Sequence, residues 1–453
     1  MIERLRALTA DLLERKFVRD TLILQVGKIG VTLIGGLASL LIWRLMTPAA
    51  YGIFGLAQSF FNLWHALDLT GVGVSTNTRL AMAAGARDHT EVLNLMGFYV
   101  KVSLLVNITL AALIAVVGPS LAALLHADSP QVAALALWLA LAGIADGQYN
   151  LITIALQSRR SMRHLALLQN ANQFVLSVSA VLFVAANPSA ESLVTARIVY
   201  SVLTLAIAFW AYGRLRAEGD MPYPPLTEVY RHALRVSARP YWQFGVANAV
   251  DRNIASLFTQ IPIQLVGSLA GSTAAGYLTM SLSALAQASL FTSAVFDNMQ
   301  AVVPQAVGRG DFTGLWRNFR RVLLALAGGG AIFYGAQALL SPLLIPLLLG
   351  EHWRPAVPAL VVLALYGLIT TVGGIFGPLY RALNLMRGAI AAKLIALVLI
   401  LPAGSLLLAN AAGGLSASDG AAGGAWIISA LFAVSVTLTA AITLRQVRRR
   451  AQG

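Results

Sequence analysis

Residues Val322 to Leu349 read VLLALAGGGAIFYGAQALLSPLLIPLLL, an unbroken run with no charged side chain after Arg321. About 20 consecutive apolar residues are enough for a helix to cross a bilayer. Only helices and closed barrels satisfy their own backbone hydrogen bonds there, so this stretch is predicted to be a membrane-spanning helix. Reading outward in both directions gives twelve spans. The first six run about 21–45, 51–74, 92–118, 132–156, 165–187 and 191–212, and the second six about 240–267, 276–305, 322–349, 356–380, 388–411 and 424–444. Turn residues such as Pro48, Pro119, Pro188 and Pro355 fall between them. Of the 453 residues, 58% are hydrophobic and 11% charged, against about 25% charged in a soluble protein. The fold class expected is an all-α polytopic membrane protein. No segment outside the spans exceeds about 30 residues, which is too short for a nucleotide-binding domain.

The formal net charge is +14, from 32 Lys and Arg against 18 acids. In a soluble chain that would suggest nucleic acid, but placement argues otherwise. On one side of the spans lie 25 of the 32, including Arg4 to Arg19, Arg159 to Arg163, Arg214 to Arg239, Arg309 to Arg321 and Arg445 to Arg450. The opposite side holds only Arg354, and Lys28, Arg44, Lys101, Arg197, Arg252 and Lys393 fall within spans. The asymmetry puts both termini in the cytoplasm and makes the charge a topology signal, with no nucleic-acid partner. Cysteine is absent, which excludes thiolate metal sites, disulfides and a Cys nucleophile. The six histidines are scattered singly, so neither a metal nor a cofactor is expected. Residues 1–20 lack the apolar core of a signal peptide. Instead Leu5, Leu8, Leu12 and Leu13 share one face, as in a helix lying in the headgroup plane. Leu226, Val229, Tyr230, Ala233 and Leu234 repeat that pattern in the linker 213–239.

The chain also repeats itself. A shift of 223 to 225 residues brings Ala49-Ala50-Tyr51-Gly52 onto Ala274-Ala275-Gly276-Tyr277, Gly85 to Asp88 onto Gly308 to Asp311, Met162-Arg163 onto Met386-Arg387, and Lys28 onto Arg252. Two six-helix lobes are expected, 1–212 and 240–453, the second ending in a basic cytoplasmic tail. Because six is even, both lobes enter the membrane from the same side, the parallel arrangement of transporter repeats with the substrate path between them. There is no GxxxxGK[ST] and no HExxH, so a secondary transporter is expected and not an enzyme. Gly143, Gly147, Gly373 and Gly377 are spaced for close helix approach.

Ionisable side chains inside a membrane are functional candidates because each costs about 2.5–3.5 kcal/mol there. Lys28 lies about seven residues into span one and Arg252 about twelve into span seven, near the midplane, with Lys101 and Arg197 also internal. The internal acids are Asp68, Asp146, Asp251 and Asp297. They either couple transport to an ion or neutralise a neighbour, as Asp146 or Asp68 would do for Lys101. Lys393 and Arg44 lie within snorkelling reach of an interface. Lys28 and Arg252 occupy equivalent positions in the two halves, and two cations facing one cavity suit a phosphate or pyrophosphate.

Leu45-Met46-Thr47-Pro48-Ala49-Ala50-Tyr51-Gly52, followed by Asp68-Leu69-Thr70-Gly71, resembles the turn after span one in the O-antigen (Wzx-type) polysaccharide flippases of the multidrug/oligosaccharidyl-lipid/polysaccharide exporter superfamily. Val250-Asp251-Arg252, Ala275-Gly276-Tyr277 and Gly310-Asp311 extend the resemblance into the second half. It implies a V-shaped pair of lobes around a cationic cavity. Such a protein moves undecaprenyl-pyrophosphate-linked oligosaccharide to the outer leaflet of a bacterial inner membrane by alternating access, without ATP. Its partners would be that lipid-linked oligosaccharide, membrane lipid, a polysaccharide polymerase and a chain-length regulator. The resemblance assigns pyrophosphate binding to Lys28 and Arg252, with Lys101 and Arg197 as further candidates, and leaves ion coupling open among Asp68, Asp251 and Asp297. Ala49-Ala50 stands where acids are common in that turn, and the two extra spans of peptidoglycan-precursor flippases are missing. A multidrug exporter of the same superfamily would want an acidic cavity, and a glycan ligase or polymerase a large outer loop. The outer loops here are short, with Arg354, His126 and His352.

Overall fold

In the computed structural model, residues 16–159, 161–217, 222–237, 241, 246–288, 295–296, 299–300, 302–304, 306–307, 309–310, 312–411 and 414–452 are described. The first helix, α1, is Lys16–Leu45, and the turn at Met46-Thr47 feeds α2, Pro48–His65. Thr47 caps α2 by accepting from Ala50 N at 3.3 Å, and Pro48 supplies a preset φ in its first turn. Next come α3 (Val72–Ala86), α4 (His89–Leu125), α5 (Gln131–Ser158), α6 (Met162–Ala186) and α7 (Ala190–Leu215). A ten-residue helix, α8 (Leu226–Arg235), lies in the linker. The second half has α9 (Val246–Ala288), α10 (Phe312–Leu349), a 3-10 turn Glu351–Ala356, α11 (Val357–Gly374), α12 (Phe376–Ala382), α13 (Met386–Ala411) and α14 (Ala417–Gln452).

Gly271 has φ 84 in the middle of α9, a left-handed conformation that glycine adopts without a Cβ clash. It divides α9 into arms 246–270 and 272–288, the predicted spans seven and eight. Among the described residues, nine helices are long and apolar enough to cross a membrane when α9 is counted once. Counting both arms and adding α1 and α2 gives twelve, in the predicted order. The chain is a multi-pass membrane protein of two six-helix repeats. Leu124, Ile332, Leu339 and Leu407 are more than 70% exposed on the outside of the bundle, which suits a surface solvated by lipid.

Several expectations are corrected. Span two does not run to residue 74: α2 stops at His65, and after a break with left-handed Gly71 the chain continues as α3. Span ten is likewise interrupted at Ile375, between α11 and α12. The linker helix α8 forms where the amphipathic pattern puts it; part of its apolar face packs against protein, while Leu234 stays 84% exposed. Val229 and Ala233 are buried, a Cβ added to Gly97 of α4 would lie 3.3 Å from Ala233 N, and Tyr230 donates to Gln148 of α5 at 2.9 Å. The expected interfacial helix at residues 1–20 falls, up to residue 15, outside the described residues.

Of the four spaced glycines, three make close contacts. A Cβ on Gly147 would sit 2.5 Å from Ser103 Oγ, one on Gly143 3.3 Å from Phe61, and one on Gly373 2.5 Å from Val436, whereas Gly377 faces open space.

Candidate functional site

The two halves meet where α2 packs along both arms of α9. A Cβ added to Gly52 would lie 1.8 Å from the Ser272 carbonyl oxygen, and one on Gly276 2.0 Å from the Pro48 carbonyl oxygen. These contacts are reciprocal in the repeat: a shift of 224 carries Pro48 to Ser272, Gly52 to Gly276 and Gly55 to Thr279. Gly55 and Thr279 also touch, since a Cβ at Gly55 would be 2.5 Å from Thr279 Oγ1. The local axis relating the halves therefore passes between these glycines, and backbone meets backbone at the Pro48 end of the seam. The same shift relates Lys28 to Arg252.

Below that contact is a cavity of about 310 Å³ lined by both halves. From α2 come Tyr51, Phe54, Gln58, Ser59 and Asn62, from α9 Thr259, Gln260, Thr279 and Ser283, and from α11 Tyr366. Its amides form a chain in which Gln58 Nε2 donates to Asn62 Oδ1 at 3.1 Å, Asn62 Nδ2 to Gln260 Oε1 at 3.4 Å, and Gln260 Nε2 to Thr259 Oγ1 at 3.1 Å. Among the residues described there, none lining the cavity is charged. This cavity is neutral and amide-rich, whereas the lining of a second cavity, described below, includes Arg197. Gln58, Asn62 and Gln260 were visible in sequence as amides within apolar stretches, which need internal partners just as charges do. Attention to formal charge alone passed over them.

Arg252 is exposed, and its Nε donates to Asn253 Oδ1 at 3.4 Å. Residues 252, 256, 259 and 263 recur at helical spacing, so Arg252 is in register with the cavity-lining Thr259 and Ile263. It lies 19 residues before Gly271, about 28 Å along the helix. On α1, residue 28 is in register with Gly35, Ser39 and Ile42, which line a second cavity of about 170 Å³ with Tyr51 and Arg197. The side chain of Lys28 and all of Asp297 lie outside the described residues.

The remaining candidates are held elsewhere. Lys101 Nζ donates to the Val236 carbonyl at 3.0 Å, capping the C-terminus of α8, where the helix dipole favours a cation. Arg197 pairs with Asp146 at 2.5 Å, Ser201 donates to the other Asp146 oxygen at 2.8 Å, and the guanidinium lies over the Tyr200 ring. Asp146 therefore neutralises Arg197, not Lys101. Both cations have partners within the fold. Asp68 is not in a span. It sits in the break after α2 and accepts from Thr70 N at 2.9 Å and Thr70 Oγ1 at 2.6 Å. Asp251, 2% exposed, accepts from Lys393 at 2.5 Å and Tyr380 at 2.8 Å, with Arg381 at 3.7 Å. The snorkelling expected of Lys393 is replaced by this buried pair.

His126, after α4, reaches across the seam. Its Nε2 lies 2.6 Å from Gln264 Oε1, and Gln264 Nε2 donates to Leu56 O at 2.9 Å. His126 Nδ1 is buried without a hydrogen-bond partner, and burial pushes the imidazole pKa down.

The family model described as "Polysaccharide biosynthesis protein" matches residues 41–358. No curated protein matches the sequence. Among solved structures, the chain is similar to an inward-facing multidrug resistance MATE family transporter of the MOP superfamily, with TM-score 0.73 and 14% identity over 94% of this chain and 99% of that one. An outward-facing MATE family transporter of the MOP superfamily gives TM-score 0.64 and 14% identity over 96% of each chain. A MOP superfamily transporter from Pyrococcus furiosus gives 0.63 and 15% over 96% of this chain and 95% of that one. At such identities the likeness concerns fold.

Proposed function

The chain belongs to the polysaccharide biosynthesis protein family, and on that premise we propose that it is a flippase for lipid-linked oligosaccharide. It acts as a secondary transporter in the cytoplasmic membrane of a bacterium, with both ends of the chain in the cytoplasm. The cargo is an undecaprenyl-pyrophosphate-linked glycan carried to the outer leaflet by alternating access. The observation that carries this reading is the seam itself: two repeats touch reciprocally at Gly52 and Gly276 above a polar cavity built from both. A path between rocking lobes needs such an arrangement. The pyrophosphate is met by Lys28 and Arg252, related by the repeat and placed toward the basic side, and the lipid tail stays in the bilayer. The neutral cavity speaks against the multidrug reading, because an organic cation taken from water needs a carboxylate to replace its hydration.

The test is glycan export in a bacterial strain whose own flippase has been deleted. Arg252→Ala is expected to reduce surface glycan at least tenfold with unchanged protein in the membrane, and Lys28→Ala with Arg252→Ala to abolish it. Full export by the double variant would overturn the assignment of the pyrophosphate to these cations.

A further inference from the structure

We propose that the cavity at the seam is a subsite for uncharged sugar hydroxyls of the cargo, distinct from the place that holds its charged headgroup. The inference rests on the flippase reading and adds the chemistry of the cavity to it. A buried charge left unpaired is costly, so a site whose described lining carries no ion selects a neutral ligand. Gln58, Asn62 and Gln260 each carry two amide donors and a carbonyl acceptor. Each donates a single hydrogen bond within the chain of amides, which leaves donors and lone pairs to turn toward a polyhydroxyl ligand. Thr259 Oγ1, which ends the chain of amides, and Ser283 add hydroxyls to the same wall. Phe54 and Tyr366 supply the apolar faces against which the C–H side of a sugar ring packs.

Size and position agree with this assignment. The volume of about 310 Å³ lies at the lower end of the range of about 300–1,000 Å³ for small-molecule sites, suiting a short stretch of glycan. Thr259 follows Arg252 by seven residues on the same face, about 10 Å along the helix. A headgroup at Arg252 would thus direct sugars beyond the first toward the amides. Since α2 and α9 belong to different halves, separating the lobes pulls Asn62 away from Gln260 and breaks the grip.

The experiment uses the full-length protein in lipid nanodiscs and two probes, undecaprenyl pyrophosphate alone and undecaprenyl pyrophosphate bearing a neutral trisaccharide. Asn62→Leu and Gln260→Leu are expected to weaken binding of the glycosylated probe about three- to tenfold each, the worth of one neutral hydrogen bond, and to leave the bare lipid unchanged. Arg252→Ala weakens both. If the Leu variants do not reach the membrane, Gln260→Asn, which shortens the reach, is expected to give the same selective loss. Equal weakening of both probes, or of neither, by the amide variants overturns the subsite while leaving the flippase reading intact. Failure of the unaltered protein to bind either probe overturns both.

Discussion

Asp251 and Lys393 show how a membrane interior turns two readings into one. Asp251 stands beside Arg252 in sequence, yet adjacent helical positions point about 100° apart, and the structure sends them to different surroundings. The carboxylate is buried against Lys393 and Tyr380, and Arg252 is exposed. Removing one partner of a buried pair leaves the other charge uncompensated, at a cost of about 3–5 kcal/mol, whereas replacing both by apolar groups is often neutral. Asp251→Asn is therefore expected to lower the melting temperature in detergent markedly, and Asp251→Leu with Lys393→Met to restore it. Export by the stable double variant would mark the pair as structural; its loss would mark Asp251 as a coupling residue. Asp146 with Arg197 is the matching case in the first half. Both acids were legible as anomalies in apolar stretches, but their partners lie 142 and 51 residues away along the chain, and no local pattern reveals that.

Helices α2 and α9 carry the seam, and glycine is what lets them approach. Built Cβ atoms at Gly52 and Gly276 fall 1.8 and 2.0 Å from backbone oxygens, so no rotamer change relieves an added methyl. Overpacking of this kind costs about 1–3 kcal/mol, and parting the helices relieves it. Gly276→Ala is expected to open the Pro48 end, read as faster maleimide labelling of Ser272→Cys in a chain that otherwise has no cysteine. Gly73→Ala, where an added Cβ meets nothing within 4 Å, serves as the control and should label at the original rate. The repeated Ala-Ala and Gly of these two turns were visible in sequence with an uncertain shift. The contact selects 224, because only that register sets glycine against glycine.

Across the molecule, His126 ties the first half to the second through Gln264 and Leu56. Gln264 spends its amide donor on Leu56 O, so its oxygen faces the ring and the histidine holds its proton on Nε2. A second proton would have to go on Nδ1, buried and without a partner. Burial lowers the pKa in the closed seam, and opening to water would return it to the ordinary value of about 6.5. A depressed pKa in the closed state means the latch is fully present above that ordinary value and is lost as the pH falls below it. Labelling of Ser272→Cys, divided by that of an exposed reference cysteine at the same pH to remove the intrinsic loss of thiolate, is thus expected to rise by up to about tenfold from about pH 7.5 to about pH 5.5. His126→Gln should abolish that acid-induced rise.

The apolar helices, the twelve spans and the duplication were all readable along the chain. Lipid accepts only long apolar segments with satisfied backbones, and that demand is met residue by residue in a local window. The breaks at Ala66 and Ile375, the docking of α8 on α4, the pairing of each buried charge and the neutral character of the cavity were not. Each of these depends on which helix faces which, and side chains far apart in the chain become neighbours only once the two halves have packed.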